Sequence, residues 1–239
     1  VALRGERFDG HEYVAAAQAS GAVAAMVDQP LPLDLPQWVV DDTRLGLGRL
    51  AAAWRDRFPG RVIAITGSNG KTTVKEMVAA ILAQAGRVRA TRGNLNNDIG
   101  MPLTLLSARD EDFLVLEMGA NHHGEIGYMT EIARPEVALI TNAGRAHLEG
   151  FGSVAGVARA KGEIARGLPE DGVFVVSGDS PYLGLWRELA EGRRMLTFAL
   201  DGAADLTAST ESIRVEWGDA GFRTTFMARV AGEDWPLAL

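Results

Sequence analysis

The 239-residue chain sets 24 lysines and arginines against 31 aspartates and glutamates, and its net charge of −7 is spread through mixed-sign sequence, so no basic stripe marks a nucleic-acid partner. It has no cysteine, which excludes disulfides and thiolate metal sites and suits a reducing compartment. No apolar run approaches the ~20 residues that span a bilayer, no secretory leader is visible, and the length suits one large domain or two smaller ones with a sizeable core.

Residues 1–42 read as a small α/β piece. Asp9 is placed to cap a helix running through Tyr13, Val14 and Ala17 to Gly21. Val23–Val27 and Trp38–Val40 are strand-like, with a proline-rich connector, Pro30 to Pro36, between them. A second helix is predicted from about Asp42, with Leu47, Leu50, Ala51, Trp54 and Phe58 on one face, ended by Pro59-Gly60.

The apolar run Val62-Ile63-Ala64-Ile65-Thr66 then leads into Gly67-Ser68-Asn69-Gly70-Lys71-Thr72-Thr73. Val74, Met77, Val78, Ile81, Leu82 and Ala85 follow at helical spacing, and Gly86 stands where a helix ends. Strand, glycine loop, lysine and helix is the context a phosphate-binding loop requires. Glycines let backbone amides approach phosphate oxygens, and the helix N-terminus adds unpaired N–H groups and a favourable dipole. Lys71 supplies a positive charge and Thr72 a hydroxyl able to ligate Mg²⁺. The loop is shorter than the common nucleotide pattern, since only Ser68 and Asn69 separate Gly67 from Gly70-Lys71.

Beyond the loop, Phe113–Met118, Val137–Thr141 and Val173–Ser177 are apolar runs suited to a buried parallel sheet. The alternation of strand and helix predicts a doubly wound α/β domain whose functional residues collect at the carboxyl ends of the strands. Thr66-Gly67, Glu117 and Asn142 sit at such ends. Past about residue 205 the period changes. Ile213, Val215 and Trp217 alternate with polar residues, as do Thr224, Phe226, Ala228 and Val230, which predicts an antiparallel hairpin on the sheet edge.

Several side chains could carry chemistry. Glu117 reads either as a Mg²⁺ ligand beside the phosphate loop or as a solvated strand-end carboxylate. Lys161 falls on the apolar stripe of a helix predicted from about Ser153 to Arg166, with Val154, Val157, Ala158 and Ala165; a packed stem with a snorkelling ammonium would give the same pattern. Gly162 beside it fits a close backbone approach. His147, His122, His123 and His11 are read from position alone as loop or helix-start residues. Asn94, Asn96 and Asn97 form an amide cluster of the kind found in turns.

The shortened loop resembles that of the Mur ligases, ATP-dependent enzymes that build the peptide of bacterial peptidoglycan; folylpolyglutamate synthases share this loop type. Two further stretches, Gly93-Asn94-Leu95-Asn96-Asn97-Asp98-Ile99-Gly100-Met101-Pro102 and Glu117-Met118-Gly119-Ala120-Asn121-His122-His123-Gly124-Glu125-Ile126, resemble the MurF branch. Asn142 through His147 and Ala160-Lys161-Gly162-Glu163-Ile164 continue the match in order, and the resemblance runs from about Gly5 to the end.

The resemblance implies ATP and Mg²⁺ as cofactors and the doubly wound Mur central domain over residues 43–239. Residues 1–42 would be part of a domain that contacts the UDP portion of the substrate, with Arg7 in that contact. More sequence before this point and a further C-terminal domain are also expected from the family. Gly67 through Thr73 and Asn142 would hold the nucleotide. Thr72, Glu117, His147 and Lys161 would hold metal, Lys161 as a carbamate. Asn96, Asn97, Asn121 and His122 would face substrate.

The implied reaction joins D-alanyl-D-alanine to UDP-N-acetylmuramoyl-tripeptide through an acyl phosphate in cytoplasmic peptidoglycan-precursor synthesis, with Lys71, Lys161 and His147 as the catalytic side chains. Three alternatives stand beside it. They are a Mur-type or folylpolyglutamate-synthase-like ligase for another amino acid, a phosphate-loop kinase or NTPase without a ligase step, and a nucleotide-binding module inactive as a fragment.

Overall fold

A computed structural model describes residues 1–200, 202–218 and 221–238. The first 42 residues form the predicted small α/β piece. A two-stranded ribbon, β1 (Arg4–Gly5) with β2 (Phe8–Asp9), leads through a 3₁₀ turn to α1 (Val14–Ala19). Asp9 caps that turn by accepting from His11 N–H at 2.9 Å. β3 (Ala25–Val27) pairs in parallel with β4 (Gln37–Val39). The next helix, α2 (Thr43–Arg55), starts where Asp42 accepts from the N–H groups of Arg44 and Leu45, at 2.7 and 2.9 Å.

From β5 (Arg61–Thr66) onward the chain is doubly wound. It passes through α3 (Lys71–Leu82), β6 (Val88–Ala90), α4 (Gly100–Ser107), β7 (Phe113–Glu117) and α5 (Glu125–Ala133). It continues through β8 (Val137–Ile140), α6 (Leu148–Phe151), α7 (Val154–Gly162), β9 (Val173–Ser177), α8 (Leu183–Leu189) and β10 (Arg194–Leu200) to β11 (Leu206–Ala208). The parallel strands lie in the order β6-β7-β5-β8-β9-β10-β11. One face is fully covered, since Val62, Ala64, Leu114, Leu116, Ala138, Ile140, Phe174 and Val176 have no exposed surface; on the other, Ile65 and Val115 are buried while Ile63, Leu139 and Val175 are half-buried.

The C-terminal strands turn antiparallel. β12 (Arg214–Gly218) pairs with β13 (Gly221–Val230), which joins the sheet through β11, and β14 (Glu233–Ala238) pairs with β13. The expected hairpin is therefore present, extended by a further strand.

Two local expectations are revised. The helix expected over about 153–166 is α only to Gly162 and tightens into a 3₁₀ turn over Glu163–Gly167. The apolar stripe of α3 does not all face the sheet: Met77 and Ile81 are 39% and 62% exposed, and Lys75 is 2% exposed. The helix is rotated so that Lys75 points inward, because its ammonium finds the Thr91 carbonyl beneath the helix, an acceptor that Met77 and Ile81 cannot use, and also donates to Glu76 of α3 itself.

Candidate active site at the strand switch point

The sheet order reverses at β5. The chain leaves β5 for β6 and β7 on one side, then returns to β8 on the other. Loops after β5, β7 and β8 therefore open onto one crevice, the place where doubly wound sheets bind ligands.

The loop after β5 is held open by its glycines. Gly67 has φ +145°, and a Cβ there would lie 1.9 Å from Thr141 Oγ1. Gly70, at φ +76°, is the N-cap of α3. The first-turn N–H groups of that helix, including those of Thr72 and Thr73, have no intrahelical acceptor. Asn142 secures the loop from β8: its carbonyl accepts Ser68 N–H at 3.0 Å, its Oδ1 accepts Asn69 N–H at 3.1 Å, and its Nδ2 donates to Asn69 O at 3.1 Å. Ser68 Oγ accepts Gly144 N–H at 2.9 Å. Asn142 thus acts on the loop itself. Lys71 folds along the same loop, its Nζ donating to Gly67 O at 2.8 Å and Ser68 O at 3.3 Å. Burial pulls its pKa below the usual lysine value, with Glu117 acting in the opposite sense.

Glu117 is 2% exposed at the end of β7, which sets aside the reading of a solvated carboxylate. Its Oε2 accepts from Thr72 Oγ1 at 2.9 Å and its Oε1 from Asn96 Nδ2 at 2.8 Å. Thr72 and Glu117 place hard oxygen ligands side by side beside the phosphate loop, which is the donor chemistry Mg²⁺ takes. Among the described residues no three His, Asp or Glu side chains cluster as a preformed cage.

The crevice holds a cleft of about 280 Å³ lined by Lys71, Asn96, Asn97, Asn121, His147 and Lys161. Arg44, Asp98 and Glu125 complete its polar wall. Lys161 is 1% exposed by residue, with its ammonium 5.5 Å from the ring centre of Phe151. Burial, reinforced by the positive charge of Lys71, lowers its pKa from 10.5 to about 8 against the opposing pull of Glu125 and Glu163. At Gly162 beside it the neighbours are side chains of α8 rather than backbone: a Cβ there would meet Leu189 Cδ1 at 2.4 Å and Trp186 Cδ1 at 3.1 Å. His147 has φ +51°, in the left-handed region that histidine enters more often than most side chains, and it is the N-cap of α6.

The remaining expected residues fall into two groups. Asn97 lines the cleft but also caps α4, its Oδ1 accepting Gly100 N–H at 2.8 Å. Asn121 lines it through a loop folded round Glu125, whose Oε2 accepts Asn121 N–H at 2.7 Å. His122, with a 69% exposed side chain, turns to Glu125 at 3.2 Å and does not line the cleft. Arg7 is exposed on the β1–β2 turn and does not line it either.

Three side chains missed in the sequence matter here. Arg44 is fixed across the cleft by Asp98, with Nη2 to Oδ1 at 2.6 Å. No local pattern signals a pair separated by 54 residues. Glu125 and Glu163 were inside quoted motifs, yet without assigned tasks. Glu163 accepts Gly124 N–H with both oxygens at 2.9 Å and Gly127 N–H at 3.1 Å, so it anchors the N-terminus of α5.

The Mur ligase middle domain matches residues 65–234. The chain belongs to the Mur ligase family. It is 53% identical over 211 residues to UDP-N-acetylmuramoyl-tripeptide–D-alanyl-D-alanine ligase of Escherichia coli K12, a match that covers 87% of this chain and 47% of that Mur ligase. MurF from Acinetobacter baumannii superposes with a TM-score of 0.90 at 41% identity, over 100% of this chain and 51% of the other. MurF from Thermotoga maritima, in complex with ADP, superposes with a TM-score of 0.86 at 31% identity, over 99% and 54%. The chain thus spans about half the length of the Mur ligases it matches. Among the described residues no helix is long and apolar enough to cross a membrane.

Proposed function

We propose that this chain is the nucleotide-binding portion of a MurF-type ligase that joins D-alanyl-D-alanine to UDP-N-acetylmuramoyl-tripeptide with ATP, in cytoplasmic peptidoglycan-precursor synthesis. The observation that carries the proposal is the meeting of a phosphate loop, the Thr72–Glu117 pair, Lys161 and His147 around one crevice. The similarity to MurF-named proteins along nearly nine-tenths of the chain supports the choice of substrates. Residues 1–42 are assigned to the UDP-substrate side and residues 43–239 to the ATP-binding domain.

In this reading the loop amides and Lys71 bind and orient the phosphates, supplying positive charge where phosphoryl transfer needs it. Mg²⁺, when bound, neutralises phosphate charge and aligns the transferring group. Thr72 and Glu117 would hold it. The substrate carboxylate attacks the γ-phosphorus, giving an acyl phosphate and ADP; the dipeptide amine then attacks the acyl carbon and phosphate leaves. Lys161, as its neutral amine, would react with CO₂ to form a carbamate and release a proton, and that carbamate with His147 would hold a second cation able to draw the substrate carboxylate toward the phosphate. Arg44, Asn96 and Asn97 border the path of the peptide substrates.

The test is phosphate release by the full-length protein from ATP, with each co-substrate omitted in turn. Release that requires both UDP-N-acetylmuramoyl-tripeptide and D-alanyl-D-alanine is expected. Release with neither would point to an NTPase, and release with a different amino acid in place of the dipeptide would point to another ligase of this type.

A further inference from the structure

Lys75 lies one turn beyond Lys71, is 2% exposed, and has no task in the reaction above. A buried ammonium is costly unless its protons are bonded. Its Nζ donates to Thr91 O at 2.7 Å and to Glu76 Oε1 at 2.6 Å. Thr91 is 1% exposed and follows β6, a three-residue strand at the edge of the sheet. The Thr91 hydroxyl accepts Glu117 N–H at 3.0 Å. Glu117 in turn accepts from Thr72, three residues before Lys75 on the same helix. The bonds therefore close a ring from α3 through Thr72 and Glu117 to Thr91 and back to α3 through Lys75.

We infer that Lys75 and Thr91 are positioning residues that fix the Glu117 carboxylate against the phosphate loop and thereby set the affinity for magnesium-bound nucleotide. The inference rests on the reading of Thr72 and Glu117 as Mg²⁺ ligands. An apolar side chain at Lys75 would fill the space beneath α3 equally well. Thr91 N–H is already paired with Val115 O of β7 at 3.0 Å, and only a donor of this length also ties its carbonyl, on the side facing α3, where a short edge strand ends. The position of Thr91 matters because its hydroxyl holds the N–H of Glu117 itself. Edge-strand slack would thus pass directly to the carboxylate.

The test compares Lys75→Met, Thr91→Val and Thr91→Ser in the full-length ligase. ATP affinity is measured by calorimetry in EDTA and across a MgCl₂ series. Lys75→Met and Thr91→Val should need about tenfold more Mg²⁺ to reach the tight-binding state, the usual effect of removing a group that orients a metal ligand. ATP affinity in EDTA should stay near the parent value, and Thr91→Ser, which keeps the hydroxyl, should titrate as the parent does. A Thr91→Val variant with the parent Mg²⁺ dependence, or a Thr91→Ser variant as impaired as Thr91→Val, overturns the inference. If Lys75→Met lacks the near-ultraviolet dichroism of a packed protein, the Thr91 pair decides alone. A parent protein whose ATP binding ignores Mg²⁺ would instead refute the metal-ligand reading on which the ring depends.

Discussion

Lys161 offers the sharpest quantitative prediction. With its pKa lowered from 10.5 to about 8, about a quarter of the side chain is neutral amine near pH ~7.5, against about one part in a thousand for an ordinary lysine. Only the neutral amine attacks CO₂, so the reactive fraction is about two hundredfold larger than at a solvated lysine, a gain partly offset because a less basic amine is a weaker nucleophile. The rate of carbamate formation should rise with pH to a plateau with a midpoint at about 8. The assay is ¹³C NMR of protein incubated with labelled bicarbonate and Mg²⁺, followed by activity in buffer stripped of CO₂. A labelled carbamate carbon absent from Lys161→Ala is expected. That variant should lose at least about a hundredfold in rate and be partly rescued by short carboxylic acids, whereas Lys161→Arg should not be rescued. Full activity without CO₂, together with no labelled carbon on Lys161, refutes the assignment. The same shift has a stability consequence. The unfolded chain binds the proton more tightly, so in metal- and CO₂-free buffer the penalty is fully present below about pH 8 and disappears as pH rises toward 10.5. Lys161→Met should flatten that rise in unfolding midpoint.

Other substitutions separate roles in the same site. Lys71→Ala should abolish ATP-dependent phosphate release in the full-length protein while costing only about 1 kcal/mol in stability, because the ammonium's bonds to Gly67 O and Ser68 O are local to the loop; near-normal turnover would contradict its role. Glu117→Ala should shift the Mg²⁺ titration of activity far more than the unfolding midpoint, and an unchanged titration would remove Glu117 from the metal site. Glu163→Ala strips the acceptor from two backbone N–H groups at the start of α5, costing about 3 kcal/mol, or about 6–12 °C in melting temperature for a domain of this size. Glu163→Gln keeps one acceptor oxygen and should recover more than half of that in a thermal melt.

Much of this site could be read from local sequence because its parts are local. The β5 strand, the glycine loop and the start of α3 are contiguous, so periodicity and loop chemistry located them together. Glu117 and Asn142 were found by the rule that doubly wound sheets present chemistry at strand ends. What stayed hidden depends on long-range partners. Arg44 acquires its place only through Asp98, and Glu163 becomes an anchor only when α5 arrives beside it. The rotation of α3 was illegible for a related reason. Its apolar spacing pointed to Met77 and Ile81, but the acceptor that draws Lys75 inward lies just past β6, 16 residues away in sequence. Asn142 stands at the strand end the sequence indicates, and its amide is spent on the loop at Asn69, a distinction no spacing conveys. Arg7 and His122 were suggested by motif alone, and the fold leaves both outside the cleft.

The central claim is that the crevice activates a substrate carboxylate as an acyl phosphate before an amine displaces phosphate. The most direct measurement uses UDP-N-acetylmuramoyl-tripeptide with both oxygens of its terminal carboxylate labelled with ¹⁸O, converted with ATP and D-alanyl-D-alanine by the full-length enzyme. Mass spectrometry of the products should find one labelled oxygen in each phosphate released and the other in the new amide carbonyl. Phosphate free of label, formed alongside the ligated product, would show that the carboxylate never received the phosphoryl group and would contradict the account.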